Sequence, residues 1–243
     1  MGTLAGQAIS AAGDLQLVAG VGSADPLSQL TDSGAQVAVE LTRPDAVMAN
    51  VEYCIANGIH CVVGTSGVGD EQLDAIRQLL LDSANGANGT DGLGVIVVPN
   101  FAIGAVLAIR FASQAAAYFD GVEVIEMHHA GKVDAPSGTA TTTAREVAQA
   151  RAEAGAPPMP DATSRAVGGA RGADIDGVRV HSVRLPGLVA HQQVLLGNDG
   201  ELLTIRHDSL HRESFMPGLL LAVRAVSKRP GLTVGLEPLL DLR

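Results

Sequence analysis

The chain has 243 residues, of which 47% are hydrophobic and 2% are aromatic, and its formal net charge is -10. This hydrophobic fraction is typical of a folded globular protein and excludes a disordered chain. The negative charge and the shortage of aromatic rings argue against nucleic-acid binding, which needs basic surfaces and stacking platforms. No apolar run has membrane-spanning length. Because the chain is acidic overall, an anionic ligand must be held by a few local donors, so we expect a small-molecule ligand in a compact pocket.

In its first half the chain alternates short β-branched runs with helical patterns. Strands are predicted at 15–21, 35–41, 60–64 and 93–99, each bounded by Gly, Pro or Asp. Helices are predicted at 44–58 and 70–86 from their apolar spacing. Alternation of strand and helix in this order predicts a Rossmann-like α/β fold with a doubly wound parallel sheet.

The pattern changes after residue 101. A helix reaching about residue 119 is followed by a strand at 122–129, a helix opened by Ser137, and a Pro/Gly/Ala-rich loop. Later runs predict a mixed or antiparallel sheet and a closing helix; they are 177–185, 188–197, 201–208 and 214–231. We therefore expect two domains, one formed by 1–101 with 213–243 and an α+β domain formed by 102–212.

The opening MGTLAGQAIS and the two cysteines bear on location. The opening has no basic segment followed by a long apolar run, so we expect a cytoplasmic protein. Cys54 and Cys61 lie in apolar contexts without a CxxC spacing or a neighbouring His/Cys cluster. They predict buried thiols rather than a disulfide framework or a zinc site.

The stretch EMHHAGKVDAPSGTA, residues 126–140, combines groups that suit a small anionic substrate. An unperturbed imidazole titrates near neutral pH, so one of the pair His128 and His129, if it faces a cleft at the strand end, can exchange a proton there. Lys132 supplies a cation, and the turn at 137–139 opens a helix whose N–H groups and dipole favour an anion. Singly, each feature also fits a cap or a solvated side chain; together they favour a functional site. Neighbouring strand residues face opposite ways, so a metal held by both histidines is the weaker interpretation.

The same stretch resembles the E-x-H-H-x-x-K-x-D-A-P-S-G-T-A signature of the dihydrodipicolinate reductase family, whose actinobacterial members it matches best. The resemblance covers essentially the whole chain, through ELTRPDAVMANVEYCIANGIHCVVGTSG, VPNFAIGAVL, HSVRLPGLVAHQQVL, TIRHDS and GLTVGLEPLLDL. It implies an enzyme of the diaminopimelate route to lysine that reduces 4-hydroxy-tetrahydrodipicolinate to tetrahydrodipicolinate with NADH or NADPH. It also implies a homotetramer paired through the substrate-binding domain at 102–212.

The resemblance assigns roles to individual residues. The proton donor falls on His128, and the lysine with an acid or orienting role falls on Lys132. Substrate carboxylate contacts fall on His129, Gly138 and Thr139. Cofactor contacts fall mostly at predicted strand ends, where open parallel sheets bind ligands; they are Gly2, Thr42, Gly64, Thr65, Ser66, Val98, Pro99, Asn100 and Phe101. Gly64 and Pro99 would equally serve a tight turn between strand and helix.

The chain departs from the family pattern at its beginning. The family opens with a strand and a G-x-x-G-x-x-G loop that cradles the pyrophosphate, and here only Met1 and Gly2 precede the first helix. We expect the true start to lie upstream, because the downstream signatures persist. The alternatives are a truncated, non-catalytic oligomeric homologue that binds a dicarboxylate, and a reductase of another cyclic dicarboxylate. Gly22 stands where an acidic ribose-binding residue is expected, which leaves NADH and NADPH both open.

Overall fold

The computed structural model describes residues 1–65, 67–85 and 92–242, and it divides into two compact units. Unit 1 comprises Met1–Ile103 with Phe215–Arg243, and unit 2 comprises Gly104–Ser214. Among the described residues, none of the helices combines the length and the apolar character that a membrane crossing needs.

The chain forms seven α-helices and nine strands over these described ranges. The helices are α1 (Gly2–Ala11), α2 (Ser28–Asp32), α3 (Val47–Ala56), α4 (Asp70–Asn85), α5 (Ile103–Ala116), α6 (Gly138–Glu153) and α7 (Met216–Val226). The strands are β1 (Val37–Glu40), β2 (His60–Val63), β3 (Gly94–Val97), β4 (Gly121–His128), β5 (Ala173–Ile175), β6 (Val178–Arg184), β7 (Ala190–Asn198), β8 (Glu201–Ser209) and β9 (Gly231–Val234). Two short 3-10 helices lie at Arg212–Phe215 and Glu237–Leu239.

Unit 1 is built on a parallel sheet with the spatial order β1-β2-β3-β9. The helices α3 and α4 cover one face, and their apolar side chains form a buried core with Cys61, Val63, Val95 and Val97. Strand alternation turns Gly94 to the opposite face. There α7 packs so closely that a Cβ at Gly94 would lie 2.2 Å from the Val226 carbonyl oxygen. The predicted doubly wound α/β sheet is therefore confirmed.

The strand predicted at 15–21 does not form. These residues belong to no helix or strand, and Leu17 and Val18 are 45% and 43% exposed. A groove of 2090 Å³ is lined both by this segment and by β1, whose outer edge pairs with no described strand. The run supplies side chains suited to a strand, but the groove lies between its backbone and the edge of β1, so no ladder of hydrogen bonds joins them. The prediction from the local pattern was wrong for this reason.

Unit 2 is built on a five-stranded mixed sheet with the order β5-β6-β4-β7-β8, which confirms the predicted mixed sheet. The pair β4 and β6 is parallel, and the other neighbours are antiparallel. Residues of α5 and α6 bury one face of the sheet in an alanine- and valine-rich core that includes Val122, Val124, Ala144 and Val147. Every second residue of β4 therefore points toward the helices.

Candidate active site

A buried carboxylate and a histidine lie side by side on β4. Glu126 and His128 are two residues apart, so both point to the helix-covered face of the strand. Glu126 is 0% exposed, and the His128 side chain is 14% exposed. The Nδ1 atom of His128 lies 2.5 Å from Oε2 of Glu126. This short contact sets the orientation of the imidazole ring.

Glu126 is surrounded by hydrogen-bond donors. The two terminal nitrogens of Arg184, on the neighbouring strand β6, lie 2.8 Å from Oε2 and 2.7 Å from Oε1. The backbone N–H of Ser137 donates to Oε1 at 3.1 Å. Burial raises the pKa of Glu126, but the hydrogen bonds from Arg184, Ser182 and His128 outweigh burial and hold the pKa below the ordinary value of 4.5. The carboxylate is therefore ionised at neutral pH.

The environment of His128 favours the neutral imidazole. Burial is the main cause that lowers the pKa of His128 below its ordinary value of 6.5, and the nearby Lys132 and Arg184 lower it further, against the raising effect of Glu126. An ionised carboxylate only accepts hydrogen bonds, so we assign the imidazole proton to Nδ1. The Nε2 atom then carries the lone pair and can take up a second proton.

A turn after β4 carries Lys132. Its backbone N–H donates to the carbonyl of His129 at 3.1 Å, and its Nζ lies 2.7 Å from Oδ1 of Asp134. Arg184 donates to the Asp134 carbonyl at 2.6 Å and so holds this loop to β6. The sequence predicted His129 as part of the strand, but β4 ends at His128. His129 instead opens the turn, where its carbonyl accepts the Lys132 N–H and the residue is exposed.

The N-terminus of α6 lies beside the same carboxylate. Ser137 caps the helix as predicted, and its Oγ accepts the Ala140 N–H at 3.2 Å. A Cβ added at Gly138 would meet no atom within 4 Å, so space for a ligand is open at this backbone position. Thr139 is half-buried in the first turn. The positive end of the helix is thus accessible close to Glu126.

Glu126 connects three of the predicted substrate groups into one cluster: His128, the Lys132 turn and the helix start at Gly138. Sequence reasoning gave Glu126 and Arg184 no role. The spacing of Glu126 and His128 placed both on one strand face and was a usable signal. No such signal existed for Arg184, because the register of β4 against β6 is set only by the folded sheet.

A second candidate site follows the carboxyl ends of β1, β2 and β3. Because these strands are parallel, Thr42, Gly64, Thr65 and the segment 98–101 follow them at one edge of the sheet. Ser66 lies outside the described residues. Gly2 is an exposed residue at the start of α1 and lines the same groove as Thr42.

The predicted cofactor residues at this edge have different surroundings. Gly64 packs against the ring of Phe101, which is 5% exposed. Val98 is buried, and its N–H donates to the carbonyl of Val63 at 2.7 Å. Pro99 is exposed, and the Asn100 Oδ1 accepts the N–H of Ala102 at 2.8 Å. Pro99 and Asn100 are therefore more accessible than Val98 and Phe101, which serve packing.

Two polar oxygens at the same edge are buried and have no partner in the described part of the chain: the Thr65 hydroxyl and Oε2 of Glu40. The other oxygen of Glu40 accepts the Thr42 N–H at 3.1 Å and the Asn50 side chain at 3.2 Å. A buried polar atom without a hydrogen bond is costly unless a bound group completes it. The edge therefore fits the polar groups of a dinucleotide.

Comparison with known proteins covers both units. Residues 1–101 match the family model described as dihydrodipicolinate reductase, N-terminus, and residues 104–240 match the model of the C-terminus. A 4-hydroxy-tetrahydrodipicolinate reductase of Streptomyces griseus is 59% identical over 242 residues, which cover 100% of this chain and 94% of the relative. One of Mycolicibacterium vanbaalenii is 58% identical and covers 97% of this chain and 92% of the relative. The dipicolinate-bound dihydrodipicolinate reductase from Paenisporosarcina sp. TG-14 is 39% identical, with a TM-score of 0.81 over 98% of this chain and 95% of that one.

Proposed function

Because this chain belongs to the dihydrodipicolinate reductase family, it is an oxidoreductase, and we propose the following reaction for it. It reduces 4-hydroxy-tetrahydrodipicolinate to tetrahydrodipicolinate with NADH or NADPH in the diaminopimelate route to lysine. One hydride and one proton enter the substrate, and one water leaves. The observation that carries this proposal is the cluster of His128, Lys132 and the start of α6 around the buried Glu126.

The substrate carries two carboxylates, and the cluster offers separate partners for them. Lys132 provides a cation that Asp134 and the adjoining loop hold in place. The first turn of α6 provides backbone N–H groups at Gly138 and the hydroxyl of Thr139, where the helix dipole favours an anion. His129, exposed in the turn, adds a further donor. In this proposal these four residues bind and orient the dicarboxylate.

His128 is the proposed proton donor. Its Nε2–H bond breaks as a C–H bond forms on the substrate, and the ring returns to the neutral Nδ1–H form. Since burial lowers the pKa of His128, the free enzyme holds mostly neutral imidazole at neutral pH. The negative charge of the bound dicarboxylate favours the imidazolium and so helps to load the proton. Solvent restores the proton after each turnover.

When bound, the nicotinamide cofactor supplies the hydride. We propose that Thr42, Thr65, Pro99 and Asn100 hold the dinucleotide at the carboxyl edge of the parallel sheet. Gly2, Gly64, Ser66, Val98 and Phe101 add further contacts in this proposal. The buried Thr65 hydroxyl supports this, because a bound polar group would complete its hydrogen bonding. We also propose that 1–101 with 213–243 binds the cofactor and 102–212 binds the substrate. The division of the chain into two compact units supports this assignment.

We propose that the protein is a homotetramer that pairs through the sheet of unit 2. Strand alternation places Ile125 and Met127 on the face of β4 that points away from the helices, next to Val183 on β6. Val183 is 38% exposed, and Leu202 on β8 is 67% exposed. The same face carries the ion pairs of Glu123 with His181 and of Asp208 with His191, and a self-complementary surface of apolar and charged groups suits further copies of the same chain. Light scattering should give the tetramer mass, and Met127→Lys should lower it while the exposed control Leu81→Lys should not.

We further propose a cytoplasmic location. The reaction consumes reduced nicotinamide nucleotide, and the two cysteines, Cys54 and Cys61, are buried free thiols, as is usual in a reducing compartment. Cell fractionation with an antibody against the chain tests this location.

The test of the function is nicotinamide oxidation with substrate supplied by a coupled dihydrodipicolinate synthase reaction. NADH and NADPH are tested separately, and we expect turnover with at least one of them. A second arm measures dipicolinate binding by calorimetry. Dipicolinate binding without turnover with either cofactor would favour the non-catalytic alternative. Turnover only with a different cyclic dicarboxylate would move the assignment to another substrate.

A further inference from the structure

Glu126 lies within hydrogen-bond distance of the ring of His128, and this contact bears on the proton of the imidazole. We propose that Glu126, itself held by Arg184, is a positioning residue that fixes His128 in the Nδ1–H form with Nε2 available to the substrate. The inference rests on the proposed role of His128 as proton donor. It adds a pair of residues, one on β4 and one on β6, that act through His128 and do not touch the substrate.

Every group that hydrogen-bonds to Glu126 can donate, and the Ser182 hydroxyl is one of them. Arg184 gives one N–H to each carboxylate oxygen, the Ser137 N–H goes to Oε1, and the His128 ring faces Oε2. With both oxygens engaged, the carboxylate cannot turn without breaking a hydrogen bond. An amide at this position would set its NH₂ group against one of these donors. The site therefore requires a carboxylate, and only one imidazole tautomer matches it.

Arg184 allows Glu126 to remain ionised while it is 0% exposed. A buried carboxylate without a paired cation would take up a proton instead. Once protonated, Glu126 would no longer require the proton of His128 to be on Nδ1. The guanidinium also donates to the carbonyl of Asp134, whose side chain pairs with Lys132. One arginine thus positions both the proposed proton donor and the proposed substrate cation.

Three charged groups change the pKa of the His128 imidazole, and they lie on three different segments: β4, the turn that follows it, and β6. Glu126 on the same strand raises the pKa of His128, whereas Lys132 in the turn and Arg184 on β6 lower it. On β7 the residue opposite His128 is Ala190, which has no charge. Removal of the Glu126 charge would leave His128 facing two cations. The imidazolium would then form only at lower pH.

The experiment compares Glu126→Gln with wild type by two readouts. Nitrogen NMR of histidine-labelled protein gives the tautomer and titration of His128, whose signal is identified by its loss in His128→Gln. The coupled assay gives kcat as a function of pH. The matched control is Glu123→Gln, since Glu123 lies on the same strand, faces the opposite side, and also pairs with an arginine and a histidine, Arg171 and His181.

We expect wild-type His128 to be the Nδ1–H tautomer above its pKa, and Glu126→Gln to populate the Nε2–H tautomer and to titrate at lower pH. A downward shift of one pH unit would cut the protonated fraction, and with it kcat above the pKa, about tenfold. Glu123→Gln should leave the tautomer and the pH midpoint of kcat unchanged. An unchanged His128 tautomer and titration in Glu126→Gln would overturn the inference.

Glu126→Asp serves if Glu126→Gln does not fold. The aspartate keeps the charge that pairs with Arg184 but draws the carboxylate back from His128, so we expect a mixed tautomer and a smaller shift in the same direction. An unaltered tautomer in this variant would also count against positioning. If the tautomer changes in either variant and the pH profile of kcat does not, positioning stands and the role of His128 as proton donor fails. The NMR and kinetic arms thus separate the two proposals.

Discussion

The ring of Phe101 packs against Gly64 so closely that a Cβ on Gly64 would lie 2.3 Å from Cε2 of the ring. The side chain of Leu41 lies on the same spot, with Cδ2 2.7 Å from that position. These residues follow β1, β2 and β3, so the contact ties together the strand ends where we propose the cofactor binds. Glycine at position 64 is thus required by packing.

Gly64→Ala should destabilise the protein, because the added methyl group overlaps both Phe101 and Leu41. Overpacking of this kind costs about 1–3 kcal/mol of unfolding free energy, which urea denaturation measures. Gly20→Ala is the control, because a Cβ at Gly20 would meet nothing within 4 Å. Equal stability of the two variants would show that the strand ends adjust freely.

Gly138→Ala, unlike Gly64→Ala, should leave the fold intact and weaken substrate binding instead. A Cβ there meets no protein atom, and alanine favours a helix more than glycine does, so stability should stay the same or rise by up to about 1 kcal/mol. The methyl group would occupy space that we assign to a substrate carboxylate, and KM should rise. Steady-state kinetics with a thermal melt checks both effects. An unchanged KM would remove Gly138 from the substrate site.

Lys132→Ala should lower kcat/KM at least tenfold, because the substrate dianion loses a positioned cation; a charge-assisted hydrogen bond contributes about 1.5–3 kcal/mol. The chain has one other lysine, Lys228, which is exposed in unit 1. Lys228→Ala is therefore the matched control and should behave like wild type. Normal turnover of Lys132→Ala would count strongly against the proposed site.

Acid should weaken the fold through the paired glutamates of β4. Burial raises the pKa of Glu123, but Arg171 and His181 outweigh it, and the pKa of Glu126 is also held below the ordinary value of 4.5. A depressed carboxyl pKa adds stability above the unfolded-state value, and this stability is lost as pH falls through the folded-state value. The urea concentration at the unfolding midpoint should therefore decrease as the pH is lowered below 4.5. Glu123→Gln should flatten this dependence, and Glu52→Gln, exposed on α3, should not.

The sequence determined those features that depend on neighbours along the chain. The alternation of apolar runs predicted the parallel sheet with helices on both faces, and the later runs predicted the mixed sheet. The cap at Ser137 was predictable because its bond to Ala140 spans only three residues. The proximity of His128 and Lys132 was likewise predictable, because the two residues are only four positions apart in the sequence.

Tertiary structure decided the features that join distant segments. Arg184 reaches Glu126 across 58 residues of sequence, through a strand register that no local pattern contains. The segment 15–21 has the composition of a strand, yet no described strand pairs with it. Gly64 is compatible with a turn in sequence, and only the packing of Phe101 shows why a larger residue is excluded. Local propensity and capping act through adjacent residues, whereas ladder partners, buried ion pairs and close packing exist only once the chain has folded.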